Sequence, residues 1–147
     1  MMLARLATIG LIPVIVSAAF SAVAAGNLVT QSSASASVRS IGPDDLKPPE
    51  CAHIAIGAMV AGNGTLNAAN ANTLLIGGPG ADTLNGGNGS DCLVGGAGNN
   101  RLNGGQGNDV LIGGPGDERL FGGPGNDTCY GRGGTDQYIN CQTIIAD

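Results

Sequence analysis

The sequence predicts an all-β solenoid, and three observations predict it. One nine-residue phrase, glycine, glycine, any, glycine, any, acid, any, large apolar, any, is written seven times without a gap between Gly77 and Ile139. Its copies are GGPGADTLN, GGNGSDCLV, GGAGNNRLN, GGQGNDVLI, GGPGDERLF, GGPGNDTCY and GRGGTDQYI. The apolar position repeats over a longer stretch, as Leu66, Leu75, Leu84, Leu93, Leu102, Leu111, Leu120, Cys129 and Tyr138. Composition agrees, with 27 glycines in 147 residues, no tryptophan, two tyrosines and two phenylalanines, which excludes a large aromatic core. A short strict period in a glycine-rich chain marks units that cannot bury an apolar residue alone and bury it by stacking.

Each part of the phrase has a local reading. The glycines let the backbone turn through positive φ. The three residues after the acid suit a very short strand, its middle side chain inward and its flankers outward. The sixth position carries Asp82, Asp91, Asn100, Asp109, Glu118, Asp127 and Asp136 in turn. Acids in loops are ordinarily a solvated surface, but their fixed register argues for a shared task.

The phrase resembles the G-G-x-G-x-D-x-U-x nonapeptide of the RTX (repeats-in-toxin) family, a calcium-binding motif. The resemblance implies a right-handed parallel β-roll, a β-solenoid of nine-residue half-coils whose units alternate between two parallel sheets. It also implies calcium between a turn and the turn two units on, with oxygens from aspartates and glycine-rich turn carbonyls. A hard cation that accepts six to eight oxygens in irregular geometry suits such a site.

Alternation sorts the acids into two edges. One carries Asp91, Asp109 and Asp127 in intact turns containing Gly87 and Gly89, Gly105 and Gly107, and Gly123 and Gly125. By the resemblance this edge binds two ions well. The other carries Asp82, Asn100, Glu118 and Asp136; Asn100 lacks the charge, Glu118 is a methylene longer, and Arg132 replaces a glycine, so fewer or weaker ions are expected there. Carboxylates stacked at strand spacing repel by about 1 to 3 kcal/mol per pair, and ordering glycine is costly in entropy. Calcium is therefore expected to complete the fold. Extracellular calcium modules bind at about 10⁻⁴ to 10⁻³ M.

Alternation also places Leu74, Ile76, Cys92, Val94, Val110, Ile112, Thr128 and Tyr130 on the outer face of one sheet, an apolar surface that is normally covered or used. Either CAHIAIGAM covers part of it or those residues add a further coil; otherwise the face is open to a protein or surface partner.

Outside the repeats, residues 1–25 read as a cleaved signal peptide. Arg5 precedes an uncharged run to Val23 that ends in small residues, and a membrane anchor is the competing reading. Residues 26–50 read as a Ser, Ala and Pro-rich linker, 51–76 as an N-terminal cap with degenerate coils, 77–139 as the roll and 140–147 as a C-terminal cap. No membrane span is expected after cleavage, and the protein is expected outside the cell. Four cysteines in an exported chain suggest two disulfides in one of three pairings. Cys129 and Cys141 flank the last unit and would pin the tail, which leaves Cys51 with Cys92 if the two can meet.

Loss of Arg5 with the leader takes the net charge from −5 to −6, and the dispersed basic residues make nucleic acid an improbable partner. No hydrolase, zinc-protease or P-loop motif occurs, and the only histidine, His53, lies in an apolar stretch. The reading is a non-enzymatic exported calcium-binding module with a structural or interaction role. The alternatives are surface recognition, such as ice or matrix adhesion through Thr65, Asn67, Thr83 and Asn85, and an accessory chain of a secreted enzyme.

Overall fold

A computed structural model describes residues 41–146. The expected signal peptide, residues 1–25, and residues 26–40 of the expected linker lie outside the described residues. The strands are β1 (Ala58–Gly62), β2 (Thr65–Asn67), β3 (Thr73–Gly77), β4 (Thr83–Asn88), β5 (Cys92–Val94), β6 (Arg101–Gln106), β7 (Val110–Ile112), β8 (Arg119–Phe121), β9 (Thr128–Tyr130), β10 (Gln137–Ile139) and β11 (Thr143–Ile145). Odd strands form one sheet in the order β1-β3-β5-β7-β9-β11, and even strands form the other in the order β10-β8-β6-β4-β2. Every pairing is parallel. Successive strands thus fall in opposite sheets, and one coil uses two repeats.

The register follows the leucines. Leu75, Leu93, Leu111 and Cys129 pair in one sheet, and Leu66, Leu84, Leu102, Leu120 and Tyr138 in the other. From Leu66 to Cys129 these side chains form one buried cluster between the sheets, with Tyr138 packed against its end. A three-residue strand has one inward side chain, so a single leucine per half-coil carries the core.

Both ends of the odd sheet depart from the repeat. Val60 pairs with Leu75 and Ile144 with Cys129, each fifteen residues away, where repeat partners are eighteen apart. The shorter connection still brings a strand into register, so β1 and β11 extend the sheet without carrying the nonapeptide.

The apolar outer face of the odd sheet is covered by the chain itself. Cys51, Ile54 and Ile56 join Leu74, Cys92, Val110 and Ile112 in a second buried cluster, with Met59, Ile76, Val94 and Tyr130 packed against it. CAHIAIGAM therefore does both things open to it: Cys51 to Ile56 cover the face, and Ala58 begins an added strand. A partner on this face, which the pattern left open, finds most of it taken. Cys51 is bonded to Cys92 and Cys129 to Cys141.

Residues 41–50, assigned to the linker by composition, are folded onto the roll. They carry two single 3-10 turns, Pro43–Asp45 and Pro49–Cys51. Asp44 accepts from Lys47 and from the Ile56 amide, and Lys47 also donates to the Ile54 carbonyl. Glu50 pairs with Arg132 of the last repeat. Composition misses this because its few specific bonds replace apolar periodicity.

Candidate functional site

Each acid is held by the strand that follows it and faces the coil before it. Asp91 Oδ1 accepts the Thr73 amide at 2.7 Å, Asp109 Oδ1 the Asp91 amide at 2.7 Å, and Asp127 Oδ1 the Asp109 amide at 2.9 Å. The series closes when Gln142 Oε1 accepts the Asp127 amide at 2.7 Å. On the other edge Asp82 accepts from the Gly64 amide, Asn100 from the Asp82 amide at 2.9 Å, and Asp136 from the Glu118 amide at 2.9 Å. The sixth position thus reaches back one coil. A carboxylate serves where any oxygen acceptor of that length would do, so its charge must answer to something else.

The second oxygen shows to what. Asp91, Asp109 and Asp127 are 0%, 1% and 0% exposed, and Oδ2 of each has no hydrogen-bond partner. Leaving a buried oxygen unpartnered costs about 1 to 3 kcal/mol, more if charged, so three in a column form a place that a positive group could fill. Glu118 is equally buried and neither of its oxygens makes a well-formed bond, although they face the Gly114 and Asn100 amides and the Asp136 carboxyl.

Burial raises these acids. Asp91 is pushed up to about 6; Asp109 to about 7, with Asp91 and Asp127 adding to the rise; Glu118 to about 7, with Asp136 beside it; and Asp127 also upward. Backbone amides on the Oδ1 oxygens oppose the rise without cancelling it.

The first glycine of each turn makes room for the acid. A Cβ on Gly86 would stand 2.5 Å from Asp91 Oδ2 and against the Gly104 carbonyl, and one on Gly104 would meet Asp109 Oδ2 and lie 2.7 Å from the Gly122 carbonyl. Carboxylate oxygen and next-coil carbonyl oxygen therefore converge on one space that only glycine leaves open. Positive φ, expected of the glycines generally, belongs to others, such as Gly107 at +133°. Arg132 holds the same left-handed region at +73°, where a side chain costs about 1 to 2 kcal/mol.

Among the described residues no three Asp, Glu, His or Cys side chains gather at one point. On each edge the acids arrive at most one per coil, so a cation there would complete its shell with backbone carbonyls, which suits a hard oxygen-seeking ion and not a soft one. His53 is exposed.

The fifth position, read as any residue, proves to have a task. Asn72 Oδ1 accepts the Ser90 amide, Ser90 Oγ the Asn108 amide, and Asn108 Oδ1 the Asn126 amide. On the other edge Asn99 accepts from Asp117 and Asp117 from Thr135. These side chains reach forward one coil while the acids reach back. The available signal was a side-chain oxygen at this position in every repeat but the first, which has Ala81.

Fold and site together define a parallel β-solenoid of about five turns with an acidic residue in every nine-residue repeat but that of Asn100, most of them buried. The family described as RTX calcium-binding nonapeptide repeat (4 copies) matches residues 67–102, 94–129 and 103–138, so this stretch of the chain consists of that family's repeats. No curated protein and no solved structure matches the chain.

Proposed function

We propose that the protein is an exported calcium-binding module whose ions complete its folding and whose role is structural or one of interaction. The observation that carries this is the column of buried, unpartnered oxygens on Asp91, Asp109 and Asp127. Asp91, Asp109 and Asp127 would hold the ions together with carbonyls of the turns containing Gly87, Gly89, Gly105, Gly107, Gly123 and Gly125. Bound calcium supplies the positive charge that this column lacks. On the opposite edge Asp82, Glu118 and Asp136, with Asn100 between, form a weaker set. The match of residues 67–138 to a calcium-binding repeat family supports the reading, and two disulfides fit an oxidising compartment.

The Thr and Asn row on the even sheet gives the adhesion reading little support. Asn85 Nδ2 is bonded to Asn67 Oδ1, and the row gives way to Arg101 and Arg119 after two strands. Arg101 lies over the Phe121 ring at 4.3 Å and Arg119 donates to Gln137.

The test is a calcium titration of the chain from residue 26 onward, followed by far-ultraviolet circular dichroism. β signal should rise with calcium and fall in chelator. A cooperative melt unchanged by excess chelator would refute the proposal.

A further inference from the structure

The two edges treat the second carboxylate oxygen differently. On the Asp91 edge all three are unpartnered. On the other edge Asp82 Oδ2 accepts the Gly78 amide at 3.0 Å, and Asn100 carries an amide nitrogen there that donates to the Gly98 carbonyl at 3.1 Å. In the last turn the Tyr138 hydroxyl donates to Asp136 Oδ2 at 3.2 Å.

The backbone explains most of this. Gly87, Gly105 and Gly123, second in the turns of the Asp91 edge, all have positive φ, and none of their amides meets its own acid. Gly78 and Gly114 lie outside that region, and their amides face Asp82 and Glu118, whereas Gly96 has φ +87° and Asn100 carries its own amide nitrogen instead. Arg132 returns to the left-handed form, so Asp136 has no such amide to draw on. There the eighth position changes from leucine to tyrosine. Tyr138 pairs with Leu120 as the next rung, packs against the core, and extends past leucine's length to the turn.

We propose that on this edge the protein's own donors take the place of a cation at Asp82, Asn100 and Asp136, with the Tyr138 hydroxyl as the substitute in the last turn. Calcium demand then falls on the Asp91 edge, with Glu118 the one exception opposite. The inference rests on the calcium reading above and assigns each turn its source of positive charge.

Tyr138→Phe keeps the ring and removes the donor. Thermal melts in chelator and in saturating calcium, with calorimetric calcium titration, test it. In chelator the variant should melt about 4–8 °C below the parent, the shift expected for one hydrogen bond in a domain of this size. In calcium the gap should close, and the titration should gain a binding event as Asp136 takes an ion. Tyr138→Leu, which restores the common rung, should behave likewise. Equal losses in both media with unchanged stoichiometry would overturn the inference, leaving Tyr138 a core residue only. A parent chain with no calcium response would overturn the functional reading itself, and this one with it.

Discussion

Replacing Asp109 by asparagine should stabilise the metal-free protein and weaken its hold on calcium. The asparagine side chain keeps the oxygen that accepts the Asp91 amide. In place of the unpartnered Oδ2 it puts an amide nitrogen, which can reach the Gly107 carbonyl as the Asn100 nitrogen reaches that of Gly98 at 3.1 Å. The gain is a hydrogen bond of about 1 kcal/mol. Relief of repulsion with Asp91 and Asp127 adds about 1 to 3 kcal/mol per neighbour at strand spacing. At pH 8, where Asp109 is mainly ionised, the metal-free variant should thus be the more stable by about 3 to 7 kcal/mol. In calcium the lost charge should weaken binding about 10 to 100-fold, or about 1.4 to 2.8 kcal/mol per ion. Urea unfolding in chelator and in millimolar calcium measures both. A gain in calcium as large as the gain in chelator would refute the assignment of the unpartnered oxygen to a cation.

Three further outcomes are expected. The metal-free protein should be most stable at low pH and lose stability as pH rises through about 6 to 7, because Asp91 and Asp109 are raised above their unfolded values and so favour the protonated fold; melts in chelator at pH 5 and pH 8 check it, and a higher melting temperature at pH 8 would contradict it. Gly104→Ala should abolish calcium-induced β signal while Gly57→Ala leaves it, since a Cβ on Gly104 collides with Asp109 and one on Gly57 lies 3.8 Å from its nearest neighbour, the Asn72 carbonyl; circular dichroism of the two variants decides. Replacing Cys51 and Cys92 by serine should lower stability by about 4 kcal/mol through the 41-residue separation they close and increase binding of an apolar dye, as the cover over Leu74 and Val110 loosens; unchanged dye binding would place the cover's hold elsewhere.

What was legible followed from period. A leucine every nine residues specifies both the inward rung and the alternation between sheets, so the Leu75 and Leu84 columns and the two acidic edges could be written out beforehand. What escaped does not repeat in kind. Val60 and Ile144 enter the sheet at a fifteen-residue offset, so no eighteen-residue register reveals them. Ser90, Asn99, Asn108 and Asp117 share a backbone task through unlike side chains, and identity-based comparison hides a common oxygen. The strap from Pro43 to Ile56 rests on Asp44, Lys47 and Glu50, whose partners are distant or aperiodic.

Gln142 ends a series that could otherwise continue. Each coil's sixth-position amide waits for an acceptor from the coil that follows, so a partly assembled stack always has one unmet valence at its growing face, like a polymer with a live end. The Gln142 side chain meets that valence for Asp127 from a non-repeat segment, at 2.7 Å, and thereby terminates the chain of dependence. Length is then a free variable between two fixed ends. Whole eighteen-residue coils could be inserted or removed between the segment held at Thr73 and the one held by Gln142, with neither terminus redesigned, whereas a nine-residue change would exchange the two edges beyond the insertion and leave the terminator facing the wrong sheet.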